Sequence, residues 1–178
     1  MSPVTLRYAT VKDAGLIADI SRKTFYETFA SQNSKENMDR FMNEQFTKEA
    51  LMQEVGTTGN IFLLAYEEQE PVGYVRMRES INPPALSDSN AIEIARIYAT
   101  SNSIGKGVGK ALMQRCINIA VEKNKDLIWL GVWEHNIRAI DFYKKVGFEK
   151  FGTHTFMLGD DAQTDWLMKK QLSIELLR

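Results

Sequence analysis

The sequence predicts an α/β fold, a mixed sheet with helices on both faces. Three observations carry this: an opening strand followed by capped amphipathic helices, a central pair of apolar runs that reads as a hairpin, and a second half that alternates strand, helix, strand, helix, strand.

In chain order, residues 4–8 alternate as a short first strand, and Thr10, with Asp13 three residues later, caps a helix that runs to about Phe29. Ser34 and Thr47 cap two further amphipathic segments, the second closed by Gly56. Residues 61–66 form a continuous apolar run, and the turn-rich 67–73 leads into a second strand at 74–78. Residues 82–90, rich in Asn, Pro and Ser, read as a loop. A strand at 91–99 precedes a helix from about Gly107 to Lys123, which puts Val108, Leu112, Cys116, Ile119 and Ala120 on one face. Residues 127–133 are a buried strand, 136–146 a helix closed by Gly147, and 148–156 and 165–169 the last strands.

With 178 residues, 44% hydrophobic and 25% charged, the chain suits one domain over 1–178 with a sizeable core. A net charge of −1 gives no basic excess of the kind that draws nucleic acid. Cys116 is the only cysteine, so no intramolecular disulfide can form. The first twenty residues hold no signal-peptide apolar run and no stretch is suited to span a membrane, so a cytoplasmic location with no membrane partner is expected. His135 and His154 are too few and too far apart for a metal motif, so no metal is expected.

The chemistry starts at Ile104-Gly-Lys-Gly-Val-Gly-Lys110, between a strand and a helix. Glycines there let backbone N–H groups approach a ligand, and the helix N-terminus adds about half a positive charge, so phosphate is the natural occupant, with Lys106 and Lys110 beside it. The segment is neither a Walker loop, which needs glycine at 104 and Ser or Thr at 111, nor a dinucleotide fingerprint, which needs glycine at 110. On its own the segment has a plain alternative, a flexible loop with an exposed lysine pair.

In order and spacing, Glu93-Ile-Ala-Arg-Ile-Tyr98, Gly105-Lys-Gly-Val-Gly109, Trp133-Glu-His-Asn136 and Ala139-Ile-Asp-Phe-Tyr-Lys-Lys-Val-Gly-Phe148 resemble the core of the GNAT acetyltransferase superfamily, over roughly residues 61–170. Ile104 departs from the family's usual Gln or Arg but leaves the backbone donors in place. Residues 24–38, 129–134 and 159–165 further resemble the PaiA-type polyamine acetyltransferases, which act on spermidine and spermine. The resemblance implies a twisted, mostly antiparallel mixed sheet of six to seven strands with a splayed central pair, 91–99 and 127–133. It also implies acetyl-CoA as cosubstrate. The pantetheine arm would pair with Ile97, Tyr98 and Ala99, and the pyrophosphate would rest on Ile104, Gly105, Lys106, Gly107, Val108, Gly109 and Lys110. Asn136 would bond the arm, and it also stands where a helix cap belongs.

The acceptor must attack as a neutral amine, yet at a reference pKa near 10.4 only on the order of one in a thousand is neutral at pH 7, so a base is needed. Glu93, acting through water, is the candidate base, and Ala95 stands where relatives often carry a second acid. Tyr143 matches the family tyrosine that protonates the departing thiolate, with a packing role as its plain alternative. Between Glu27 and Glu54 there are six acids against three bases, a balance suited to a polycation, and Glu27 and Glu36 are the candidate polyamine ligands. Trp133 is placed beside the acceptor channel. The alternatives are acetylation of a protein or peptide amine, and a non-catalytic acyl-CoA sensor. A homodimer also fits the resemblance, with the tail 171–178 as a candidate contact.

Overall fold

The computed structural model describes residues 3–79 and 82–172. Seven strands form one sheet: β1 (Val4–Tyr8), β2 (Asn60–Glu67), β3 (Glu70–Arg78), β4 (Ala91–Ala99), β5 (Leu127–Trp133), β6 (Glu149–Leu158) and β7 (Asp161–Gln171). The helices are α1 (Ala14–Phe29), α2 (Lys35–Glu44), α3 (Lys48–Glu54), α4 (Val108–Glu122) and α5 (Ile137–Val146). The strand order is β1-β2-β3-β4-β5-β7-β6, with β4 and β5 as the parallel pair and every other neighbour antiparallel.

The caps form where residue type requires them. Ser34 accepts the Asn37 amide at 3.1 Å and Thr47 the Ala50 amide at 3.2 Å. Asp13 accepts the Thr10 amide at 2.8 Å, but the first turn is a 3-10 turn at Val11–Asp13, so α1 starts later than expected. Arg7 holds both Asp13 oxygens, at 2.9 and 2.8 Å, and this pairing with a guanidinium pulls the carboxyl pKa down to about 2. At the end of α5, Gly147 at φ 105° makes the left-handed turn that returns the chain to the sheet.

Two strand ends differ from expectation. β3 begins at Glu70, through Pro71 and Gly73, because a bulge at Val72, opposite Ala65/Tyr66, lets β2 pair with the proline. The final hairpin is longer than its apolar pattern, since many of its outward positions are polar.

The alternation of β2 through β5 gives the sheet two apolar faces. Leu63, Val75, Ile92, Ile94, Ile128 and Leu130 pack against α4, with Ile140 and Tyr143 of α5. On the other face Phe62, Leu64 and Tyr74 meet α1, and Phe25, Phe29, Phe41 and Phe46 form an aromatic cluster under α2 with Trp133 and Phe156. Among the described residues no helix is long and apolar enough to cross a membrane.

Candidate active site

The parallel pairing of β4 with β5 runs from Ala91↔Leu127 to Ile94↔Leu130 and stops there. β5 continues to Trp133 paired only with β7, and β4 continues to Ala99 paired only with β3. The cause lies in β4. Ala95 is an extra residue, since Met77 faces Ile94 and Arg76 faces Arg96, and a bulge of this kind bends its strand. The two strands therefore part at the middle of the sheet, and the inward edge of β4 beyond Ile94 has no strand partner. Such N–H and C=O groups bond an extended ligand readily.

A cavity of about 680 Å3 fills the opening and extends to both sides of the sheet. Toward α4 and α5 it is lined by Ile104, Gly105, Gly107, Gly109, Lys110, Asn136, Arg138 and Tyr143. Gly105 and Gly107 hold φ of 81° and 87°, conformations that L side chains rarely adopt, and Gly107 caps α4 without a side chain to occupy its first amides. These free donors, next to Lys110 and Arg138, fit a phosphate group. Asn136 uses its side-chain oxygen to accept the Ala139 amide at 3.4 Å, so its cap role is realised. Tyr143 is buried, with Phe142 and Phe148 rings at 5.6 and 5.9 Å, and burial raises its hydroxyl pKa above the ordinary range. A phenol so placed keeps its proton at neutral pH and is available as a donor.

Toward α1, α2 and α3 the lining is made of side chains. Arg76, Arg78 and Arg96 project from β3 and β4 beside Glu54 and Glu93. Glu54 of α3 pairs with both Arg96 and Arg76, the latter at 3.4 Å. Arg78 grips Glu93 through two contacts, 2.5 and 3.2 Å. Phe29 and Trp133 meet edge to face at 5.8 Å, and Asp165 and His154 complete the wall from β7 and β6.

The structure brings most of the expected site residues together. Glu93, Ile97, Tyr98, Ala99, Ile104, Gly105, Gly107, Gly109, Lys110, Trp133, Asn136 and Tyr143 all line the cavity. Lys106 is exposed and does not, and Val108 turns into the core, so Val108 could contribute only backbone. Glu27 and Glu36 are exposed and outside the lining; Glu27 accepts the Ser101 amide at 3.1 Å, tying α1 to the loop before α4. Asp165 and the arginine cluster received no role from sequence reading. Three arginines in two otherwise apolar strands, and Gly131 within a strand between two tryptophans, were the available signals. Residues 173–178 of the tail lie outside the described residues. Among those described, no group of three or more His, Cys, Asp or Glu could hold a metal.

A strand pair parted over a glycine-capped helix, with a buried tyrosine at the opening, is the architecture of an acetyltransferase of the GNAT type. The chain belongs to the acetyltransferase (GNAT) family, whose model matches residues 19–148. An uncharacterised N-acetyltransferase of Lactobacillus delbrueckii subsp. lactis is 37% identical over 172 residues, 97% of this chain and 99% of that protein. The spermidine N(1)-acetyltransferase of Thermoplasma acidophilum is 22% identical, over 94% of this chain and 97% of its own length. Among solved structures, the PaiA N-acetyltransferase of Thermoplasma acidophilum in complex with coenzyme A has the same fold, with a TM-score of 0.76 at 21% identity over 96% of this chain and 99% of that one.

Proposed function

We propose that this N-acetyltransferase takes its acetyl group from acetyl-CoA bound in the β4–β5 opening and delivers it to a primary amine that enters from the α1–α3 side. The observation that carries this reading is the continuity of one cavity from the α4 N-terminus, along the unpaired edge of β4, to the arginine- and carboxylate-lined wall beyond. The amides of residues 104–110, with Lys110 and Arg138, would hold the pyrophosphate, and Ile97, Tyr98 and Ala99 would pair with the pantetheine arm. The cosubstrate supplies an activated acyl carbon and a thiol leaving group. Tyr143 would donate a proton to the departing sulfur and Trp133 would border the acceptor.

A polyamine is the finer reading, supported by the name of the Thermoplasma relative. The described structure supports it less, because Glu27 and Glu36 stand away from the cavity, and Glu54 and Glu93 already face arginines. Free-thiol release from acetyl-CoA tests both levels, using spermidine, spermine, a lysine-containing peptide and benzylamine as acceptors. Turnover with any of them supports acetyl transfer. Spermidine and spermine exceeding benzylamine in kcat/KM supports the polyamine; equal values would remove it and leave the amine reading standing. Acetyl-CoA binding without thiol release on any amine would favour a sensor.

A further inference from the structure

Three carboxylates line the cavity, and they are not equivalent. Glu93 is clamped by Arg78 and Glu54 is shared between Arg76 and Arg96. An acid whose oxygens are engaged by a guanidinium offers an incoming ammonium group fewer free acceptor positions. Asp165 is different. Among the described residues its carboxylate has neither an ion pair with lysine or arginine nor a hydrogen bond.

The sheet explains why this carboxylate stands open. Asp165 on β7 pairs in register with Trp133 of β5 and His154 of β6, so the three side chains share the α1–α2 face. Two residues back along β5, on the same face, stands Gly131. A Cβ there would lie 3.8 Å from Asp165 Oδ2 and 3.9 Å from Leu167 Cδ2. Any side chain at 131 would begin to cover the carboxylate from the direction of the opening; glycine leaves it accessible beside the place where β4 and β5 part. Burial raises the Asp165 carboxyl above its ordinary range, partly offset by His154. The titratable groups within electrostatic reach are His154 on β6 and Tyr98 on β4. Tyr98 is itself raised first by burial and then by Tyr74, Tyr143 and Asp165, so Asp165 and Tyr143 lie within range of one phenol.

We infer that Asp165, rather than Glu93, receives the acceptor's ammonium group and takes its proton. The inference rests on the acetyl-transfer reading above. The ammonium nitrogen gives one proton to Asp165, which passes it to solvent, and the freed lone pair forms the bond to the acyl carbon. The carbon–sulfur bond breaks, the sulfur takes a proton from Tyr143, and the second proton lost by the nitrogen restores Tyr143. One amide, one thiol and one proton in solution are the products. A carboxyl whose pKa is raised by burial suits this work, since a base with a higher pKa takes an ammonium proton at less cost.

The test uses full-length enzyme with acetyl-CoA and whichever of spermidine, the lysine peptide or benzylamine gives the highest kcat/KM. Asp165→Asn should lower kcat/KM by about 10²–10⁴-fold and remove the acidic limb of its pH profile, while acetyl-CoA affinity by calorimetry stays within about twofold. Glu93→Gln should keep that limb. A parent-like profile in Asp165→Asn, or loss of the limb in Glu93→Gln alone, would overturn the assignment while acetyl transfer stands. No thiol release by the parent enzyme with any of the three amines would take both readings down together. A second measurement does not depend on turnover. In protein labelled with carboxyl-13C aspartate and saturated with coenzyme A, the signal lost in Asp165→Asn should titrate above the ordinary aspartate range, and titration within or below that range would overturn the proposal. Folding is checked by melting. The folded pKa is raised, so the contribution to stability is present at low pH and is lost as pH rises through it; Asp165→Asn should therefore melt at or above the parent temperature at pH 7.

Discussion

The two faces of the opening are built in opposite ways. On the α4–α5 face the donors are main-chain groups: two glycines with positive φ, the uncapped first turn of α4 and the free edge of β4. On the α1–α3 face the groups are side chains drawn from α1, α2, α3, β3, β4, β5, β6 and β7. A surface made of backbone depends on the path of the chain and tolerates exchange of many side chains. A surface made of side chains changes with each substitution. One fold can thus keep a constant acyl donor while its acceptor varies.

The sharpest way to break this contrast is the side chain on the α4–α5 face to which the proposed reaction gives a chemical step. Tyr143→Phe should lower kcat by about 10²–10⁴-fold with acetyl-CoA affinity retained; a rate within about twofold of the parent would return Tyr143 to packing alone. Next in size is the loop. Gly107→Val imposes a β-branched residue at φ 87°, a cost of about 1–3 kcal/mol, and should weaken acetyl-CoA binding by about tenfold or more in calorimetry. Lys106→Ala, outside the lining, should change it by about twofold at most. If the lysine mattered more than the glycine, the backbone account would be wrong.

Smaller effects are expected away from the cavity. Asp13→Asn should cost about 1 kcal/mol at pH 7 through its cap and its bond to Arg7. Its folded pKa lies below the unfolded value, so the contribution is present above the ordinary carboxyl range and fades as pH falls through about 2, which urea melts from neutral to acid pH would show. Glu36→Gln, on the exposed side of α2, should leave KM for spermidine within about twofold. A clear rise would bring Glu36 into the acceptor path and strengthen the polyamine reading.

The same contrast decided what could be read from the sequence. The glycine loop, the Asn136 cap and the strands 91–99 and 127–133 were legible because each is a local pattern: glycines before a helix, a capping residue at a fixed offset, an apolar run of strand length; Tyr143 was singled out only through the family resemblance. Strand β3 was read short because Pro71 and Gly73 look like turn residues until the bulge between them, at Val72, is known. Beyond Glu93 and Trp133 the acceptor wall was not legible, since nothing local joins Glu54 to Arg96 or Asp165 to Gly131. Those neighbours are created by strand order and register. The acid count between Glu27 and Glu54 was correct as a count, but the carboxylates are dispersed: Glu54 turns inward to two arginines, while Glu27 and Glu36 face outward.

Ala95 carries a consequence of another kind. Before it, Glu93 shares a face with Arg78; after it, Arg96 and Tyr98 share that same face with Arg76 and Tyr74, although an odd position has given way to even ones. The extra residue is a change of parity written into one strand. Deleting Ala95 would keep all six antiparallel partners on β3 and every side chain on its present side, and would remove only the bend. The straightened strand would then be free to continue its parallel ladder along Gly131 to Trp133 and zip the sheet closed. Such a deletion variant should remain folded and lose acetyl-CoA binding altogether. The slot that admits the acyl donor would on this view be a matter of chain length, one residue long, and not of the chemistry of the residue that supplies it.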